Sequence, residues 1–213
     1  MFVGERMSKP VITVSPDLPI NEALTMMKQD HIRRMPVIQD GKLVGIVSDK
    51  DLLNASPSPA TSLSVWELNY LLSKITVKDV MTKKVITIDE KTPIEEAARI
   101  MADNKIGGMP VLRDSKVVGI ITETDLFKIL LELMGARKKG VRATILIEEK
   151  PGQLAKISQL IAENGGNFIA FGQFMGEDPS TRTVMVKVEG LDEAKVKQLL
   201  KTTGGNIVDI RTC

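Results

Sequence analysis

The chain is poor in the residues that most often announce chemistry. It holds one cysteine, Cys213, and one histidine, His31, among 213 residues. A single cysteine excludes an internal disulfide framework and a cysteine-cluster metal site. A lone histidine excludes a His-rich zinc site, and His31 reads as a surface residue. Aromatics are only 3% of the chain, so its cores must be built from Ile, Val, Leu, Met and Ala. No apolar run approaches the roughly 18 residues that a membrane-crossing helix needs. The opening "MFVGERMSKP" lacks a basic segment followed by an apolar stretch, so no signal peptide is expected. Charge of one sign is lacking too: the net charge of +2 gives no broad signal for nucleic acid or an anionic membrane. The expectation is a soluble cytoplasmic protein of one to two domains, with enough apolar residues, 43%, for globular cores.

What the sequence does contain is a duplication. Residues 7–53 align with 81–127 at a constant offset of 74 and without gaps, and 21 of the 47 positions are identical, including Met7/Met81, Thr13/Thr87, Pro19/Pro93, Pro36/Pro110, Gly45/Gly119 and Asp51/Asp125. Unrelated segments would share about 3, taking roughly 6% identity for average compositions. Both copies close an apolar run in the same way, as "GIVSDKDLL" at 45–53 and "GIITETDLF" at 119–127.

Each copy reads as strand, helix, strand, turn, strand, helix. "VITV" and "VITI" are short β-branched strands. "PINEALTMMKQD" and "TPIEEAARIMADN" carry apolar residues at helical spacing, as in Ile94, Ala97, Ala98 and Met101. In the second copy Thr92 is expected to cap, with Pro93 at the first helical position and Glu95 completing a capping box; Leu18 replaces that threonine in the first copy. "MPVI" and "MPVL", turns at "QDGK" and "RDSK", and the strands "LVGIV" and "VVGII" follow. Between the copies, "NASPSPATSLS" is a Pro/Ser-rich connection. It leads to "SVWELNYLLSK", where Ser64 and Glu67 form a second capping box and Trp66 and Tyr70 share a helix face, as core packing or as a partner surface.

"GARKKG" at 135–140 reads as a linker or helix end. The residues beyond it do not match the repeat. "VRATILIEE", "GGNFIAFGQFM", "TVMVKVEG" and "NIVDIR" read as strands. "PGQLAKISQLIAEN", starting near Pro151, and "DEAKVKQLLKTT" read as helices. That is βαββαβ, the ferredoxin-like order.

The repeated strand endings carry the chemistry. Ser48/Thr122 and Asp51/Asp125 lie three apart where an apolar strand turns into a helix. A hydroxyl there caps the helix or bonds a ligand at its N-terminus. A carboxylate accepts from two vicinal hydroxyls, as an acidic residue does from ribose in dinucleotide sites. Spacing alone leaves both readings open.

The double pattern G-h-h-[ST]-x-x-D, with the preceding M-P-V strand, resembles the tandem CBS-domain pair, or Bateman module, over residues 1 to about 134. The resemblance implies an α/β (α+β) fold of two pseudo-symmetric CBS repeats, at 1–60 and 61–134, the latter including the inter-repeat helix. It also implies binding of an adenosyl ligand (AMP, ADP, ATP, S-adenosylmethionine or NAD) in two clefts, and a regulatory role without catalysis or a metal. One cleft would join Thr92 and Ile106 to Ser48, Lys50 and Asp51; the other would join Leu18 and Ile32 to Thr122, Thr124 and Asp125. Leu18 departs from the family's usual threonine. "HIRRMPV" places Arg33 and Arg34 where "KIGGMPV" has Gly107 and Gly108. The pair is either a solvated basic turn or, beside the Ser48/Asp51 cleft, a phosphate ligand.

"EEKPGQLAKISQLIAENGGNF" at 148–168, in its βαββαβ frame, resembles an ACT domain covering 141–213. This implies side-by-side pairing into a homodimer and an amino-acid site using Gly152 and Asn167, whose local roles are otherwise turns. The CBS–ACT order resembles the AcuB-like acetoin-utilisation accessory proteins and leaves the regulated partner unnamed. Two other classes stay in view. One is a Mg²⁺-dependent phosphohydrolase using Asp49, Asp51, Glu123 and Asp125. The other is an interaction protein with degenerate clefts.

Overall fold

A computed structural model describes residues 1–55, 67, 70, 74–176 and 178–213. They divide into two compact units, Met1–Leu126 and Phe127–Cys213. Ser64 and Trp66 lie outside the described residues. Tyr70 is 63% exposed, with the Lys74 ammonium 5.2 Å from its ring centroid, so it does not enter a core. Among the described residues no helix is long and apolar enough to cross a membrane.

The first unit contains the duplication. Helix α1 (Val3–Arg6) precedes α2 (Ile20–Gln29), β1 (Arg34–Gln39), β2 (Lys42–Ser48) and α3 (Asp49–Asn54). The second copy repeats this as α4 (Val77–Val80), β3 (Ile88–Asp89), α5 (Ile94–Asn104), β4 (Gly108–Arg113), β5 (Lys116–Thr122) and α6 (Glu123–Leu133). The hairpins match in detail: Arg34 opposes Ser48 and Gly108 opposes Thr122, and each register slips once, at Val37/Ile38 and at Val111/Leu112. The expected first strand shrinks in copy one to a single parallel bridge, Val14 to Val37; in copy two it is β3, parallel to β4.

The hairpin turns place both central residues at positive φ: Asp40 (50°) and Gly41 (74°), then Asp114 (48°) and Ser115 (63°). That geometry suits Asp-Gly and strains a serine. Ser115→Gly is therefore expected to stabilise the protein by about 0.5–1 kcal/mol in urea denaturation. No gain, or a loss, would mean that the second turn carries no such strain.

The leading segments are exchanged. Val3 and Met7 are buried with Ile88, Ala97, Met101, Met109 and Ile121 of the second copy. Val77 is buried with Val14, Ile20, Met27 and Met35 of the first. Backbone bonds repeat the exchange: Val3 N–H donates to the Thr92 carbonyl (2.9 Å) and Ile94 N–H to Met1 (3.2 Å), while Val77 N–H donates to Leu18 (2.9 Å) and Ile20 N–H to Ile75 (3.1 Å). Gly45 and Gly119 permit it, because a Cβ at either would collide with Met81 or Met7 respectively. α4 starts at a Thr76–Asp79 box, whose hydroxyl and amide donors hold the Asp79 carboxyl below its ordinary range.

This exchange corrects the expected cap of α5. Pro93 is the N-cap, not the first helical residue, and no side chain caps it. The N–H of Ile94 is satisfied by the Met1 carbonyl, which leaves the Thr92 hydroxyl and Glu95 without a capping role.

In the second unit β6 (Val141–Glu148), α7 (Gln153–Glu163), β7 (Asn167–Met175), β8 (Thr181–Glu189), α8 (Glu193–Lys201) and β9 (Asn206–Thr212) form the expected βαββαβ. Neighbours in the order β7-β8-β6-β9 are antiparallel. Alternate residues Val141, Ala143, Ile145 and Ile147 of β6 join Val184, Val186 and Val188 of β8 against Ile157, Ile161, Val196 and Leu200 of the helices. The "GARKKG" segment is a helix end packed on the sheet. Gly135, at φ 58°, takes the left-handed position after α6, with Gly135 N–H on Glu132 and Ala136 N–H on Leu131, a Schellman closure. Lys187 of β8, 3% exposed, donates to the Gly135 carbonyl at 3.2 Å.

Candidate functional site

The strand endings fold into near-identical caps. Asp51 Oδ2 accepts from Ser48 N–H (2.8 Å) and Ser48 Oγ (2.7 Å), and Asp51 N–H returns to Ser48 Oγ (3.3 Å). Asp125 Oδ2 accepts from Thr122 N–H (3.0 Å) and Oγ1 (2.7 Å), with Asp125 N–H on Thr122 Oγ1 at 3.4 Å. Hydroxyl and carboxylate therefore do cap α3 and α6. Capping uses one oxygen of each carboxylate, so it does not exclude a second role for the other.

At the first motif that other oxygen has somewhere to point. Ser48 and half-buried Asp51 line a cavity of about 320 Å³ that lies between the two copies, within the first unit. The size is at the lower end of small-ligand pockets, about 300–1,000 Å³. The second copy supplies Val85, Ile86 and Ile106 as apolar wall, Thr82 as a hydroxyl, and Lys84 and Lys105 as cations. Arg34 enters from the first copy. Gly107 makes room for it: a Cβ there would collide with the Arg34 guanidinium and would lie 2.9 Å from Glu123 Oε2. Three cations and one carboxylate thus face one apolar-walled cleft. Apolar surface suits a base, the carboxylate suits vicinal hydroxyls, and the cations suit phosphate.

The structure brings together Arg34, Ser48, Asp51 and Ile106. The other residues expected at this cleft are elsewhere. Lys50 is exposed, its N–H turned to the Asp49 carboxylate at 2.9 Å. Thr92 is bound through its carbonyl to Val3. Arg33 reaches the other motif, with its Nη2 3.3 Å from Thr124 Oγ1. Lys84, Lys105, Thr82 and Ile86 were not anticipated. The offset relates Thr82 to Ser8, but nothing in the sequence singles out Lys84 or Lys105.

The second motif is more enclosed. Asp125 is only 6% exposed, and its Oδ1 accepts from Ser8 Oγ at 3.3 Å. Leu18 and Ile32 pack against the first copy's core, and Ile32 also lines a separate open groove with His31 and Leu53. His31 is exposed, as expected.

In the second unit Gly152, at φ 88°, is the N-cap of α7. With Gln153, Gln173 and Arg182 it lines another cavity of about 320 Å³. Gln153 Oε1 is buried there and has no hydrogen-bond partner among the described residues. Arg182 is paired with Glu149 at 2.5 Å. Asn167 is not part of this cavity. It opposes Glu189 in the β7–β8 register, at the far end of the sheet from the β6 terminus that leads to Gly152. An eight-residue strand separates those ends by roughly 24 Å, so one chain does not join Gly152 and Asn167.

A duplicated strand–helix cap, with a ligand-sized cleft between the copies, makes the first unit a module of two paired repeats. The CBS domain family matches residues 3–58 and 77–132, and the chain belongs to that family. A CBS domain-containing protein of Dictyostelium discoideum is 32% identical over 136 residues, 63% of this chain and 94% of that protein. The chloroplastic CBS protein CBSX1 of Arabidopsis thaliana is 37% identical over 152 residues, 62% of this chain and 64% of that protein. An inosine-5′-monophosphate dehydrogenase of Thermoplasma acidophilum is 35% identical, but only 21% of its length is covered.

Solved structures agree. A CBS pair in complex with 5′-methylthioadenosine and S-adenosyl-L-methionine has a TM-score of 0.52 and 31% identity, covering 65% of this chain and 98% of the other. CBSX2 in complex with AMP has a TM-score of 0.52 and 30% identity, covering 62% and 97%. A Vibrio cholerae structure described as a candidate acetoin utilization protein (AcuB) has a TM-score of 0.53 and 29% identity, covering 64% and 95%.

Proposed function

We propose that this protein is a non-catalytic regulatory sensor of adenosine phosphates. The observation that carries the reading is the convergence of Arg34, Lys84 and Lys105 with Ser48 and Asp51 on one cleft. Asp51 would accept from the ribose hydroxyls, the apolar wall would take adenine, and the cations would take phosphate. AMP, ADP, ATP and NAD carry that phosphate. S-adenosylmethionine carries a sulfonium cation instead, which suits this charge poorly even though a relative binds it.

The second unit is read as an ACT domain. It would pair with a second copy to form a homodimer, bind an amino acid near Gly152, and relay cleft occupancy to a regulated protein in the cytoplasm. Ligand binding can shift such an equilibrium only by its differential affinity for the two states.

A thermal-shift panel of AMP, ADP, ATP, NAD, adenosine and S-adenosylmethionine tests the reading. At a hundred times Kd one site adds about 2.7 kcal/mol, a rise of several degrees at about 2–4 °C per kcal/mol for a chain this size. The phosphate-bearing ligands should raise the midpoint and S-adenosylmethionine should not. A flat response to every adenosyl compound would support the interaction-protein alternative. Turnover of ATP with Mg²⁺ would support the hydrolase.

A further inference from the structure

We infer that the protein takes one adenine nucleotide per chain, because its second cleft is closed by two of its own side chains, Arg33 and Ser8. This rests on the sensor reading of the first cleft. The two motifs are superposable in their caps, yet their surroundings differ at each position that decides access. In the first cleft the residue beside the motif is Gly107, whose missing side chain leaves room for Arg34. Its counterpart in the second is Arg33, which spans from copy one to copy two and donates to Thr124 Oγ1 at 3.3 Å.

Thr82 lines the first cavity beside Asp51. Its counterpart, Ser8, donates to Asp125 Oδ1 at 3.3 Å. That takes the oxygen which, in Asp51, makes no hydrogen bond among the described residues. Asp125 is correspondingly buried at 6% exposure, whereas Asp51 is half-exposed to its cavity.

The chemistry of the closure follows from these contacts. A ribose approaching Asp125 would have to reach a buried carboxylate whose second oxygen already accepts from the Ser8 hydroxyl, and gains only an exchange of one hydrogen bond for another. A ligand approaching Thr124 would have to displace the Arg33 guanidinium. Nor would the cleft repay a phosphate. The counterparts of Lys84, Lys105 and Arg34 are Pro10, His31 and Gly108, so the three cations of the first cleft have no fixed equivalent.

The site count of the full chain decides the matter. Equilibrium dialysis with labelled ADP and, separately, labelled adenosine should give one site per chain. In Ser8→Ala/Arg33→Gly the opened cleft should admit adenosine, which needs no phosphate cation, and the adenosine count should rise to two. ADP affinity at the first cleft serves as the folding control. Should the double variant lose that site too, Arg33→Gly alone provides the same comparison. Two sites in the unaltered chain overturn the closure and leave the sensor reading standing. One site in both the unaltered chain and a folded variant overturns the role of Arg33 and Ser8. No site at all overturns the sensor reading, and this inference with it.

Discussion

Replacing Asp51 by alanine should cost the protein at least tenfold in affinity for AMP or ADP. The carboxylate is the acceptor available to ribose in the open cleft, and a hydrogen bond to a charged group contributes about 1.5–3 kcal/mol. The same substitution removes the acceptor of Ser48 N–H and Oγ, so stability should also fall by about 1 kcal/mol, as for a lost helix cap. Asp125→Ala separates the two effects. It breaks the equivalent cap on a carboxylate that is buried, so it should destabilise while leaving nucleotide affinity within about twofold. Calorimetric titration of both variants, read beside urea denaturation, checks the pair. Unchanged affinity in Asp51→Ala would sink the cleft assignment.

Arg34→Ala should produce the second large effect, and a selective one. If Arg34 meets the phosphate as proposed, loss of its half-buried guanidinium should weaken ADP about tenfold or more, while adenosine should bind as before. Lys84→Ala and Lys105→Ala should act in the same direction but less, since lysine offers a point charge rather than a fixed fork. ADP affinity should also fall as salt rises, because charge attraction is screened over about 8 Å at physiological ionic strength. Adenosine should show little such dependence. If Arg34→Ala weakened adenosine and ADP alike, Arg34 would be holding the cleft's shape, and phosphate sensing would have to be given up.

The caps and the duplication were legible in the sequence because both are local: a hydroxyl and a carboxylate three residues apart say where a strand becomes a helix. The strands and helices of the second unit were legible for the same reason, their alternation and helical spacing being plain in "VRATILIEE" and "DEAKVKQLLKTT". The assignment of Arg33 failed at a strand boundary. β1 begins at Arg34, so the two arginines straddle the entry to a strand and divide between Arg34 at the open cleft and Arg33 at Thr124. Lys50 lies on α3 between the capping residues, is exposed, and does not line the cavity.

Lys84 and Lys105 were out of reach for another reason. They are two among 29 basic residues, and only the meeting of the two copies distinguishes them. Thr92 failed because the partner of its segment, Met1–Val3, lies about ninety residues away in sequence, where periodicity carries no information.

The exchanged leaders give the first unit an indivisible character. Each copy's core is completed by a strip that belongs, by sequence, to the other: Val3 and Met7 in one, Val77 in the other. A single copy cut out at the repeat boundary would keep its hairpin and lose the strip that covers it. The second copy is completed only when the chain closes a loop of about ninety residues from Val3 to Thr92, and the first only when it closes one of about sixty from Leu18 to Val77, so assembly of the two should be one slow, cooperative event governed by distant contacts. A chain cleaved only at the connection between the copies would still hold together, each half clasped by the other's leading turn.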